Sequence, residues 1–245
     1  MSERYWRRMP TAAVLLAAAG TAAITGCGTG GGSGAAATAS ATSSAGMAAA
    51  VGQDMFSAGQ LREALLGKVN GTGPASAAQD GAYSALPDVR MSKDSMQGVT
   101  VKPAKCAQAT VTGFNSATFA DAPASVETFR VGRDGVSEVI VAASTGTAAE
   151  ALSARLPAGC AHYRATVDGK TFSYSVKESE LPGIAEQARA LNVKAAGYSD
   201  VDVWSVVYRG IGFVGAVTIV GPDASERGAK VLAEEAYTRA TESLR

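Results

Sequence analysis

Paired β-rich segments joined by glycine-containing turns constrain the fold of this chain most strongly. The first two turns and their flanks are Asp134-Gly135 between residues 125–133 and 136–143, and Asp168-Gly169 between residues 160–167 and 170–177. Asp-Gly between such segments is a strong hairpin signal, because both central residues of the tight turn need positive φ. We therefore predict two antiparallel hairpins in the middle of the chain.

A third pair of strands is predicted near the end of the chain, over Val201–Arg209 and Ile211–Val220. The second member is apolar on both faces, which is typical of a central strand that is covered on both sides. Residues 181–196 leave two alternatives open. Leu191, Val193 and their alternating neighbours favour a strand, whereas the residues before them also suit a helical turn.

Capping-box spacings mark three helix starts. The pairs and the helices they open are Ser57 with Gln60 for residues 58–67, Thr147 with Glu150 for residues 147–156, and Asp223 with Glu226 for the last helix. The last helix carries alanines and leucines on one side and charged residues on the other, as an amphipathic helix does. Residues 68–105 are rich in Gly, Pro, Ser and Asp, so we predict a surface loop there.

This order of elements predicts an α+β fold, in which helices pack on an antiparallel β-sheet of about five to seven strands. We assign the folded part to a single domain over residues 57–245. A chain of that length is ample for one self-sufficient hydrophobic core.

The first 27 residues have the layout of an export signal. A positively charged start, MSERYWRRMP, precedes an apolar run of 14 residues, TAAVLLAAAGTAAI, which is too short to span a bilayer. Ile24-Thr25-Gly26-Cys27 then supplies an aliphatic residue, two small residues and a cysteine. This start resembles a bacterial lipoprotein signal. The resemblance implies that residues 1–26 are removed and that the thiol of Cys27 receives a diacylglyceryl group.

The residues after Cys27 are predicted to form a flexible tether. Residues 28–52 contain no charged residue and consist almost entirely of Gly, Ala, Ser and Thr. Such a segment cannot bury enough apolar surface to offset the entropy of ordering it, so we predict a linker over residues 27–56. Export by the general route and by the twin-arginine route both stay open.

Three cysteines are present, and an odd number in an exported chain needs an explanation. With Cys27 lipidated, Cys106 and Cys160 remain, and outside the cytoplasm we expect these two thiols to form a disulfide. The alternative is two unrelated buried thiols.

Composition argues against several classes of function. The formal net charge is zero, whereas nucleic-acid binding requires a clustered excess of Lys and Arg. The only histidine, His162, is predicted on the wet face of its strand, and the sequence contains no Gly-x-Ser-x-Gly, Ser-x-x-Lys, His-Glu-x-x-His or P-loop motif. We therefore expect neither an enzyme nor a cofactor or metal site.

Trp204, Val206 and Tyr208 share one face of their predicted strand, while Val203 and Val207 share the other. Two apolar faces require two covers. One cover is expected to be the terminal helix. The other is either a second helix or a cleft lined by Trp204 and Tyr208 that receives a ligand.

The folded part resembles a family of actinobacterial lipoproteins related to the extracellular sensor domains of PknH-type mycobacterial Ser/Thr kinases. The resemblance rests on Cys160 opening a strand after a helix, on the strand RGIGFVGAVTIVG and on the final amphipathic helix. It implies a non-enzymatic ligand-binding or sensory module on the outer face of the cytoplasmic membrane. The partner would be a small or amphipathic ligand or an envelope protein; the alternative function is a carrier of lipids or amphipathic molecules.

Overall fold

The computed structural model describes residues 56–110, 117–196 and 201–245. Cys27, the signal segment and residues 27–55 of the predicted linker lie outside the described residues. The described strands, in chain order, are β1 (Gln79–Ala82), β2 (Thr100–Lys102), β3 (Pro123–Val131), β4 (Asp134–Ala142), β5 (His162–Val167), β6 (Lys170–Glu180), β7 (Gln187–Ala195), β8 (Asp202–Gly210) and β9 (Phe213–Gly221). The α-helices are α1 (Ala58–Glu63), α2 (Pro87–Ser95), α3 (Thr145–Ser153) and α4 (Glu226–Ser243).

All nine strands belong to one antiparallel sheet with the order β1-β3-β4-β9-β8-β7-β6-β5-β2. The α+β class and the antiparallel sheet are confirmed, but the predicted count of five to seven strands is too low. The two additional strands, β1 and β2, lie in the segment that the sequence predicts as a loop. They are only four and three residues long and form the two edges of the sheet.

The three predicted hairpins form, and one of them turns two residues earlier than predicted. Val131 pairs with Asp134, so Gly132 and Arg133 form the first turn and Asp134 already belongs to β4. Gly132 has φ +59°, the conformation that the predicted Asp-Gly turn was expected to need. The second turn lies at Asp168-Gly169 as predicted, with φ values of +49° and +73°. Residues 187–195 form β7, which resolves the ambiguous segment as a strand.

Helix caps follow the predicted chemistry, but at two positions the capping residue differs. Ser57 and Gln60 make both bonds of the predicted capping box at α1. Helix α3 is capped by Ser144, whose hydroxyl accepts from the Thr147 amide, and helix α4 is capped by Ser225. In each case a serine closer to the helix start provides the acceptor, since its side chain reaches the amide three residues on.

The sheet is covered on both faces. On the face that we call the α4 face, helices α1 and α4 bury one large apolar cluster that includes Ile140, Val206 and Val217. On the opposite face, the α3 face, helix α3 packs over β7, β8 and β9, and Leu86 and Phe119 extend the same apolar cluster over β3 and β4. A second cluster on that face surrounds Cys106 and Cys160 near β5, β6 and β7. The helices predicted to pack on the sheet therefore lie on both sides of it.

The sulfur atoms of Cys106 and Cys160 are bonded, so the predicted disulfide is confirmed. Cys106 lies in a 3-10 helix that follows β2, and Cys160 lies two residues before β5. Both residues are fully buried. The bond therefore ties the irregular segment after β2 to the edge of the sheet, as expected from the sequence.

Candidate ligand groove

A groove of about 340 Å³ opens at one end of the α4 face. Three parts of the chain enclose it, namely the first turns of α4, the β3–β4 hairpin and the turn that follows α1. We call it the α4 groove. Its lining residues are Val69, Asn70, Val131, Asp134, Val136, Ile219, Asp223, Ser225, Arg227, Gly228, Val231 and Leu232.

A set of polar contacts holds the groove's walls together. The Asp134 carboxylate accepts a hydrogen bond from the Asp223 backbone amide at 3.1 Å, and Arg133 forms an ion pair with Asp223 at 3.0 Å. Gly221 lies against Asp134, and a Cβ atom at this position would collide with the Asp134 side chain. The absence of a side chain at residue 221 therefore lets the β3–β4 hairpin approach the start of α4.

The lining combines an apolar floor with a polar rim. Side chains of valine, isoleucine and leucine form the floor, and Val231 is 43% exposed although most valines of this fold are buried. The rim carries both signs of charge, with Arg227 on one side and Asp134 on the other. Burial is the main cause of a raised pKa at Asp134. An apolar floor with a few polar groups at the rim is typical of small-molecule sites, and the volume lies near the lower end of their range.

The two aromatic residues predicted to line a cleft lie in different surroundings. Tyr208 is fully buried beneath α4, where its ring contacts those of Phe213 and Tyr237 edge-on, with centroids 6.5 and 6.1 Å away. Of the two alternatives for this face, a covering helix or an open cleft, the structure therefore has a covering helix at Tyr208. Trp204 is only partly buried, and it pairs across the sheet with Ile219, which lines the α4 groove.

Sequence reasoning did not identify the groove, although one signal for it was present. The apolar stripe of the last helix comprises Ala229, Leu232, Ala233, Ala236 and Ala240, and all five are buried. Val231 lies off this stripe, so a helix packed through the stripe alone leaves it uncovered. An apolar residue outside the buried face of an amphipathic helix was thus the available hint.

The remaining candidate chemistry is sparse. His162 is exposed on β5, as predicted for a surface histidine. Within the described ranges, no group of three or more His, Cys, Asp or Glu side chains is placed to hold a metal ion. In the same part of the chain, no helix has both the length and the hydropathy needed to cross a membrane.

No protein-family model and no curated protein sequence matches the chain. Solved structures of two mycobacterial proteins are among those that are similar to it. The extracellular domain of PknH from Mycobacterium tuberculosis has 15% sequence identity and a TM-score of 0.47, with 59% of this chain and 78% of that chain covered. An uncharacterized protein of Mycobacterium smegmatis, the ortholog of Rv0999, has 17% identity and a TM-score of 0.40, with 67% and 86% covered.

Both superpositions are partial and both identities are low. The function proposed below therefore rests on the groove and on the residues of this chain.

Proposed function

We propose that this protein is a non-enzymatic binding module of the cell envelope that takes up a small amphipathic ligand in the α4 groove. The observation that carries the proposal is the groove itself, in which an apolar floor lies below a rim that presents Arg227 and Asp134. Such a site offers burial to an apolar chain and hydrogen bonds to a polar head. A sensory role would rest on the same binding event, with the bound ligand changing the surface of the domain.

Anchoring through a lipid on Cys27 is the second part of the proposal, and it is supported by the signal-like residues 1–27. The position of Phe56 shows at which end of the sheet the described chain begins. The Phe56 ring lies against Gly212 in the turn between β8 and β9, whereas the groove is lined by Ile219 near the far end of β9. At the rise of a β-strand, these two ends are about 20 Å apart. The described chain thus begins at the end of the sheet opposite the groove.

The volume of the groove favours a small ligand over the cargo of a lipid carrier. Carriers of two-chain lipids need a large enclosed cavity, and about 340 Å³ lies near the lower limit for drug-sized ligands. The carrier alternative would regain support if lipid-sized density or mass accompanied the purified protein.

The binding proposal is tested by titrating the protein with dodecanoate while following the fluorescence of Trp204. We expect saturable binding that Val231→Lys weakens at least tenfold, because the new side chain places a charge over the apolar floor. Ile211→Lys is the matched control, since Ile211 is 76% exposed in the β8–β9 turn, at the other end of the domain. Equal affinities of the two variants for dodecanoate would show that the ligand does not bind in the α4 groove.

The anchor is tested by metabolic labelling with palmitate. The wild-type chain is expected to take up label and to fractionate with membranes, and Cys27→Ala is expected to do neither. Label that persists in Cys27→Ala would overturn the anchor, while leaving the binding proposal to its own test.

A further inference from the structure

Two carboxyl groups face each other in the buried layer beneath α1. Glu127 of β3 and Glu138 of β4 are direct partners in the strand pairing and are only 8% and 0% exposed. Both lie on the α4 face, in the row of the sheet that also contains Val217 and Val206. Burying two neighbouring acidic groups without a direct cationic partner is costly unless at least one of them is neutral.

One hydrogen bond joins this pair to the first helix. The Glu138 Oε2 atom accepts from the backbone amide of Leu66, three residues past the end of α1, at 2.8 Å. Glu138 Oε1, Glu127 Oε2 and the Tyr208 hydroxyl are all buried, and the described residues offer none of the three a hydrogen-bond partner. With both carboxyl groups ionised, the Tyr208 hydroxyl is the only donor among these three side chains, and a proton on Glu138 adds a second donor.

The groups around Glu138 come from every element packed on it. Glu127 faces it from β3, Tyr208 from β8 and Arg239 from α4, and the segment after α1 contributes the Leu66 amide. The Arg239 guanidinium donates to the Glu63 carbonyl at 3.1 Å, so its hydrogen bond goes to α1. Burial, and secondarily the Glu127 charge, raise the pKa of Glu138 to about 8, against the opposing effects of the Leu66 amide and Arg239.

We propose that Glu138 is a protonation-controlled latch that holds α1 and the turn after it on the sheet and releases them as the surrounding pH rises. When α1 is closed over the sheet, Glu138 is buried and keeps its proton. When α1 opens, water reaches the carboxyl group, and its pKa returns toward the ordinary value of 4.5.

The direction of the effect follows from proton counting. Between pH 4.5 and about 8, the closed state binds one proton more than the open state. A rise in pH therefore favours the open state, by up to about tenfold per pH unit. Below this window both states are protonated and above it both are ionised, so the equilibrium no longer depends on pH.

A local opening would involve a short segment. Helix α1 has six residues, and Leu61 together with Ala64, Leu65 and Val69 after the helix forms the buried contact of this segment with the sheet. Its exposed ion pair between Arg62 and Asp80, at 3.0 Å, contributes little to holding it. The turn that follows it carries Val69, which lines the α4 groove. Release of α1 would therefore also open one wall of the groove, a consequence that rests on the proposed function.

Amide hydrogen exchange of the full chain tests the latch directly. Exchange at Leu65 and Leu66 is measured from pH 5.5 to 8.5 and divided by the intrinsic rate at each pH. We expect the opening constant to rise by up to about tenfold per pH unit and to level off above pH 8. Glu138→Gln, which keeps an acceptor for Leu66, is expected to abolish this slope.

Glu150→Gln is the matched control, because Glu150 is an exposed glutamate of α3, and it should keep the wild-type slope. If Glu138→Gln does not fold, Glu127→Gln serves instead; it removes the neighbouring charge and should move the plateau to lower pH. A flat wild-type profile, or an unchanged slope in Glu138→Gln, would overturn the latch. Dodecanoate binding is measured separately. If the opening of α1 depends on pH but the protein binds no dodecanoate, the latch is supported and ligand binding in the α4 groove is refuted.

Discussion

The two faces of the sheet bury a glutamate in opposite ways. On the α3 face, Glu178 forms an ion pair with Arg189 at 2.7 Å, and it also accepts from the Leu156 amide just after α3. On the α4 face, Glu138 has an amide from the segment after α1 but a second carboxyl group, Glu127, in place of an arginine. Each glutamate therefore receives one backbone amide, and among the described residues only Glu178 has a direct cationic partner.

This difference separates a structural contact from a responsive one. A buried ion pair holds its elements together in one charge state, and breaking it leaves an uncompensated charge. A buried carboxyl group without a direct ion pair holds its element only while it keeps its proton. The α3 face, which also carries the disulfide, is thus the face whose packing stays closed. The α4 face is the one from which α1 is proposed to open.

The largest expected loss comes from removing the disulfide of the α3 face. The bond closes a loop of 54 residues, so Cys106→Ala together with Cys160→Ala should lower the free energy of unfolding by about 4 kcal/mol in the chain-entropy description. Urea denaturation of the two forms measures this difference. A loss below about 1 kcal/mol would show that the α3 face does not depend on its covalent tie.

The next effect is expected from breaking the buried ion pair. Glu178→Gln leaves Arg189 buried without its anion, which should cost about 3 kcal/mol in the same denaturation experiment. The double variant Glu178→Leu with Arg189→Met should recover most of that loss, because no unpaired charge remains. Removing the exposed Arg62–Asp80 pair with Arg62→Gln is the control and should cost less than about 1 kcal/mol. Equal losses for the buried and the exposed pair would contradict the contrast drawn here.

The effect that is smallest per pH unit, but the most distinctive, is the pH dependence that Glu138 imparts to global stability. Its folded-state pKa of about 8 exceeds the ordinary value of 4.5, so its contribution is fully present at acidic pH and declines as the pH rises to about 8. The free energy of unfolding should fall by up to about 1.4 kcal/mol per pH unit in this window. Glu138→Gln should flatten that profile, and a profile as steep as that of the wild type would assign the titration to another group.

Much of the sheet could be predicted because its hairpins are local. Glycine at Gly169 and Gly212 has the positive φ that tight turns require, and the strands beside it alternate in the expected way. The short edge strands could not be predicted, since β1 is defined by pairing with β3 more than forty residues later. The first turn was misplaced because Gly132 makes it, while Asp134 binds the Asp223 amide instead.

The candidate site was harder to predict than the fold. Trp204 and Tyr208 share a strand face, but only a packed helix shows that Tyr208 is sealed and that the open space lies beyond Ile219. Glu138 alternates with Val136 and Ile140 in β4, so a glutamate in an apolar row was a visible signal. Its partner Glu127 and its contact with Leu66 depend on pairings that no local pattern records.

The central claim is that the α4 groove binds a small amphipathic ligand, and methyl-resolved NMR with added dodecanoate tests it most directly. Saturable shift changes are predicted at Val69, Val136, Ile219 and Val231, which line the groove, with none at the exposed Ile211 and Met91. Changes that appear equally at Ile211 and Met91, or none at the groove valines, would contradict the claim.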